Sequence, residues 1–332
     1  MKKEKNLKDW LTYIALAIIF IGLPVAMNRY LLYMLVLVEL FIILTCGLNL
    51  IFGYTGQVQL CHAVFYAVGA YSSALLALKL GWSFWITLPL SVMITALVAF
   101  LIGIPLLRIK GPYFAIGTMA LGFIVTAVIQ NSDKLTGGVS LPGIPPINPI
   151  SLPLLGKITF TSLNSQYYLI LVFILLTVFV VNRIVHSRVG RAFTAIRENE
   201  ELAEVTGINV MRFKVLSFVI GSGIAGLAGA LYSGIMGAID PGMASAHTSF
   251  IVLSMLVVGG TGTILGSIIG PAIIWIVPEI LHAADIFRLV LYGLVIILVA
   301  ILMPYGVVGG LRSMASRVSH VRQYKVNYVD KG

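Results

Sequence analysis

RIVHSRVGRAFTAIRENEELAEVTGINVMRFK, residues 183–214, gathers charge into one internal stretch of a chain that is otherwise oil-soluble. It holds Arg188, Arg191, Arg197, Glu198, Glu200, Glu201, Glu204, Arg212 and Lys214, while only 10% of all 332 residues are charged. Apolar runs stand on either side, residues 167–185 and 215–239, each long enough to cross a hydrocarbon core of roughly 30 Å. Hydrophobic residues make up 59% of the chain and mean hydropathy is +1.02, against roughly 45–50% apolar residues in soluble domains. The charged stretch is therefore a loop between membrane spans, and the fold class is an all-α polytopic bundle.

Similar runs cover residues 11–27, 31–52, 58–78, 84–107, 113–129, 250–277 and 289–303. Together they predict about eight to ten membrane segments in one transmembrane domain over residues 1–332. The first run has the basic start of a signal peptide, but it is long and lacks a small-x-small cleavage pattern, so it is read as an uncleaved helix. The net charge of +10 sits at span ends: Lys2, Lys3, Lys5 and Lys8 before the first, Arg312, Arg317, Arg322 and Lys325 after the last. That placement suits cytoplasmic loops and anionic headgroups, not nucleic acid. With the amino terminus inside, alternation puts Arg108 and Lys110 inside and the Pro-rich loop 131–166 outside. The charged loop 186–213 then falls inside. A single crossing by residues 250–277 would leave the basic tail outside. The run is therefore expected to break at Gly259-Gly260-Thr261-Gly262 and to enter and leave on one side. Gly53-Tyr54-Thr55-Gly56 is similar punctuation and hints at an internal repeat.

Catalytic patterns are missing: there is no phosphate loop, no His-Glu-x-x-His and no Cys-x-x-Cys. Cys46 and Cys61 lie in apolar segments without metal or redox spacing. Gly221-Ser222-Gly223-Ile224-Ala225-Gly226 matches a dinucleotide fingerprint, but inside an apolar helical run with no preceding strand. Ala225, Gly229, Ser233 and Gly237, and likewise Gly262, Gly266 and Gly270, recur every fourth residue and suit close helix packing. Glu39 stands in mid-span, where a carboxylate faces the bundle interior and serves either function or hydrogen bonding. Gln57, Gln59, His62 and Tyr66 follow the first glycine break. On a helix, Gln59, His62 and Tyr66 share a face that would line a translocation path or hold neighbouring helices. In the charged loop, Ala192, Ala195, Ile196, Ala203 and Val205 alternate with charge, predicting one short amphipathic helix ended by Gly207. Its acidic cluster would be repelled by anionic lipid, so a protein partner suits it better.

Gly190-Arg191-Ala192, Ala195-Ile196-Arg197-Glu198-Asn199-Glu200, Gly207-Ile208-Asn209 and Phe213-Lys214 resemble the coupling loop of LivM-type permeases of branched-chain amino acid ABC importers. Gly47-Leu48-Asn49, Gly53-Tyr54-Thr55-Gly56-Gln57-Val58, Gly111-Pro112-Tyr113-Phe114-Ala115, Leu135-Thr136-Gly137-Gly138 and Tyr292-Gly293-Leu294 extend the likeness. Gln59-Leu60-Cys61-His62 departs from the Ser-Leu-Gly-His expected there, and relatives of this type also move urea or other small polar solutes. The resemblance implies a bacterial or archaeal inner-membrane permease with both termini cytoplasmic. It implies a second, LivH-like permease, two ATPase subunits that hold ATP and Mg, and an extracytoplasmic binding protein. No cofactor is expected on this chain. A secondary transporter is the rival reading, and it would need intramembrane coupling residues beyond Glu39.

Overall fold

A computed structural model of the chain describes residues 22, 24, 27–109, 111–152, 156–280, 293, 297 and 306–310. The runs at residues 11–27 and 289–303, and the basic tail, lie wholly or almost wholly outside the described residues. Among those described, the long helices are α1 (Arg29–Leu48), α2 (His62–Leu80), α3 (Phe84–Leu106), α4 (Pro112–Gln130) and α5 (Leu163–Val185). The charged loop folds as α6 (Arg188–Glu198) and α7 (Glu200–Val205), followed by α8 (Val210–Met236), α9 (Ala246–Gly259) and α10 (Ile264–Ile280). Among the described residues six helices are long and apolar enough to cross a membrane, α1 among them with its π-helical extension Asn49–Tyr54. The two-residue strands at Leu141–Pro142 and Ala238–Ile239 pair with each other, away from the charged loop.

Contacts between segments distant in sequence define two ends of the bundle. At one end residues 55–58, 107–114, 196–200 and 214 surround a common cavity. At the other, Asn148 accepts from Phe84 N at 2.9 Å and Trp85 packs on Phe160. Thus α1, α3 and α5 run toward the charged-loop end, and α2, α4 and α8 run away from it.

Helix α8 is the central post, packed against α1, α2 and α3. Apolar side chains gain little from leaving lipid for protein, so association depends on close contact and small residues. A Cβ at Gly69 of α2 would fall on the backbone of Gly226, and one at Gly229 on the Tyr66 carbonyl. Ala225 and Ser233 of α8 are buried as well. Gly237 is not a packing rung: it closes α8 as a left-handed cap with φ 69°. Gly262 likewise sits in a turn with φ 71°, whereas Gly266 and Gly270 bring α10 onto α9.

The run at residues 250–277 is broken where the glycines predicted. Helices α9 and α10 are bent by 117° across residues 260–263. The turn lies beside Arg197, at the charged-loop end. Trp275 and Ile276 of α10 have returned to Met27 and Leu31, at the far end. The pair thus enters and leaves at one end, as the parity of spans requires, but it reaches through to the other. Gly53 and Gly262, at the two glycine breaks, touch each other. Two irregular stretches also follow a similar course. After α1 the chain runs irregularly over residues 55–61 before α2, and after α8, which points the opposite way, it does so again over residues 237–245 before α9. Irregular backbone at such depth requires internal partners. Thr118 Oγ1 accepts from Leu60 N at 3.0 Å, and Ser249 Oγ accepts from Ala63 N at 3.1 Å.

Single cysteines at Ala238 and Glu279, in a background lacking Cys46 and Cys61, should be labelled by an impermeant thiol reagent from the same side of the membrane. Cysteine at the exposed Thr261 should be labelled from the opposite side. Labelling of positions 238 and 279 from opposite sides would show a single crossing.

Candidate functional site

The charged loop begins with strong local capping. Ser187 Oγ accepts from Val189 N at 3.1 Å, Asn199 Oδ1 from Leu202 N at 2.9 Å, and Asn209 Oδ1 from Arg212 N at 3.0 Å. Each bond satisfies an amide that a helix start leaves open. Asn199 in extended conformation ends α6 and starts α7, so the single amphipathic helix expected here is two. Gly207, at φ 85°, turns the chain after α7. Gly190 lets α6 fold back on α5, since a Cβ would strike the Val185 backbone.

Phe193 and Ile196 are buried beneath the pair, and Ala195 packs on Ile196, Ala203 and Val210. The outer surface carries Arg188, Arg191, Glu198, Glu201 and Glu204, with Leu202 62% and Val205 85% exposed among them. Two apolar side chains held out within a charged rim are a pattern suited to burial by a protein partner. Glu200 is tied to the start of α8: its Oε2 accepts from Lys214 Nζ at 2.6 Å, and Lys214 is the more buried of the two. A cavity of about 330 Å³ opens beneath, between residues 55–58, the start of α4 and residues 196–200.

Arg197 joins this surface to the membrane part. Its guanidinium donates to the Gly53 carbonyl and lies over Gly262. One step deeper, Asn49 is fully buried. Its Nδ2 donates to the Thr263 carbonyl and to Ser267 Oγ, each at 2.9 Å, and its Oδ1 accepts from Gly262 N at 2.9 Å. Gly53 leaves room for that carboxamide, because a Cβ there would fall on Asn49 Oδ1.

The residues predicted to line a path are enclosed in this conformation. Gln59 precedes α2 rather than sharing its face, yet its Nε2 lies 3.4 Å from His62 Nδ1. His62 Nε2 lies 3.0 Å from the Leu44 carbonyl. The network is satisfied when Nε2 carries the proton and Nδ1 accepts, which makes His62 a pin between α2 and α1. Tyr66 stacks edge-on against Tyr232 at 5.7 Å. Gln57 donates to Ser217 Oγ at 2.9 Å and borders the cavity. Glu39 is fully buried in α1, and neither carboxylate oxygen has a hydrogen-bond partner among the described residues. A buried unsatisfied polar group costs about 1–3 kcal/mol. Glu39→Leu should therefore leave the thermal midpoint in detergent unchanged or raised; a lowered midpoint would show that the carboxyl is stabilising.

The sequence model for the family described as branched-chain amino acid transport system / permease component matches residues 30–300, from the second residue of α1 to beyond the end of α10. The chain belongs to that permease family. It is 29% identical to the high-affinity branched-chain amino acid transport system permease protein LivM of Salmonella typhimurium, over 91% of this chain and 75% of the relative. LivM of Escherichia coli gives the same identity and coverage. LivH of Salmonella typhimurium is 28% identical, over 80% of this chain and 90% of the relative. No solved structure matches the permease. Sequence reasoning finds one helix where α6 and α7 stand and gives Asn49 no role. The available signal was a polar residue beside the Gly53 break, uninformative without knowing that residues 262–267 fold against it.

Proposed function

We propose that this permease is the membrane subunit of an ATP-driven importer that carries branched-chain amino acids inward. Its companions are a second permease of the LivH kind, two ATPases that hold ATP and Mg, and an extracytoplasmic binding protein. The observation that carries the reading is the α6–α7 surface, with Leu202 and Val205 exposed in a charged rim and Arg197 tied into the bundle. That surface would dock a cytoplasmic motor, with the charged-loop end in the cytoplasm; the basic residues before the run at 11–27 and after the run at 289–303 support cytoplasmic termini. Likeness to both LivM and LivH supports a pair of related permeases in one transporter. Closure of the ATPases would shift the permease pair between inward- and outward-open states.

The test is uptake by proteoliposomes carrying the assembled complex. Leucine, isoleucine or valine should accumulate only with ATP, the ATPases and the binding protein all present. Uptake without ATP would identify a secondary transporter, and uptake of urea but no amino acid would overturn the substrate. Leu202→Asp with Val205→Asp should weaken ATPase association by about tenfold or more, read by co-purification, since an apolar contact becomes a buried charge.

A further inference from the structure

Resting on the importer reading, we propose that Asn49 is the positioning residue of the coupling step: with Arg197 it latches α6 to the turn between α9 and α10, so that dock and turn move as one body. The Asn49 carboxamide's three hydrogen bonds converge on residues 262–267, remote in sequence, where Cys46 of α1 also meets Ser267. Arg197 touches both sides of this junction, donating to Gly53 and covering Gly262. Apolar contacts between helices can slide, whereas a buried amide with its donors and acceptor engaged resists displacement in every direction.

The hinge that such a body needs is also present. Residues Asn49–Tyr54 form a π-helical turn, a wider winding that recurs at functional points in helices. Gly260, with φ of 118°, ends α9 where the latched turn joins it. A displacement of α6 therefore reaches the broken pair through Gly53, Asn49 and Gly262 without passing through the lipid-facing helices.

Asn49→Asp isolates the latch, because it keeps an acceptor for Gly262 N but sets a second acceptor against the Thr263 carbonyl. In the full complex in proteoliposomes, it should lower uptake per ATP hydrolysed by about tenfold while the complex still co-purifies intact. Arg197→Ala should produce a similar loss, the two together no more than either alone. Arg197→Lys, which retains a donor for Gly53, should restore part of it. Unchanged uptake per ATP in Asn49→Asp would overturn the proposal, as would loss of uptake matched by loss of assembled complex. Rigidity can be read without transport: spin labels at Glu201→Cys and Thr261→Cys should give a narrow distance distribution in the isolated permease, broadened by Asn49→Asp. A broad distribution in the otherwise unaltered protein would defeat the latch, whereas absent ATP-driven uptake with a narrow distribution would defeat only the importer reading.

Discussion

Gly229→Ala should abolish recovery of folded permease, while Gly223→Ala on the same helix should be tolerated. Both place one methyl group on α8, so helix propensity favours each change equally, by up to about 1 kcal/mol. What differs is the neighbour. At Gly223 the added Cβ would meet the Ala96 and Val92 side chains at 3.8 Å, an ordinary contact. At Gly229 it would fall on the Tyr66 carbonyl and lie 2.8 Å from Ala70 N, both backbone atoms of α2. Backbone cannot rotate away, so α2 and α8 would have to separate along the seam that also holds Gly69 against Gly226. Overpacking that side chains absorb costs about 1–3 kcal/mol; a displaced helix forfeits the contacts of the whole seam. The measurement is the yield of monodisperse protein after extraction in mild detergent. Equal yields from the two variants would mean that α2 and α8 do not meet this closely.

The membrane class, most helix positions and the break near residue 260 were legible because each rests on local signals: run length, charge and glycine. Residues 84–107 were assigned a span, and α3 occupies Phe84–Leu106. Signals failed where distant partners replaced local ones. Residues 58–61 look like the start of a span by hydropathy, yet α2 begins at His62, because Thr118 and Ser249 supply the acceptors that a helix would otherwise provide internally. Four-residue spacing assigned Gly237 and Gly262 to packing seams, but spacing cannot distinguish a rung from a terminating cap. Asn49 is the sharpest case. Its role depends on Gly262, Thr263 and Ser267, which nothing in its neighbourhood announces. In the charged loop, alternation found the buried face of α6 correctly, while the break at Asn199 required its extended conformation and its bond to Leu202 N.

Combined replacement of Arg191, Arg197 and Glu198 by Ala should leave the permease inserted but lower ATP-driven uptake by about tenfold or more. Insertion should survive because it is set by the apolar spans, and exposed substitutions typically shift stability by about 0.5 kcal/mol or less. Arg191 and Glu198 lie on the outer face of α6, where they can meet a partner, while Arg197 reaches inward to Gly53. The triple variant therefore attacks both halves of one transmission: the grip of the motor on α6 and the tie from α6 to the broken pair. The two halves give different signatures. Loss of grip reduces ATPase co-purification, whereas loss of the tie leaves the motor bound and hydrolysing ATP without moving solute. Separate reversion of each position to its native residue in the triple background should restore association through Arg191 or Glu198, and uptake per ATP through Arg197. Full uptake in the triple variant would remove α6 from the transport cycle.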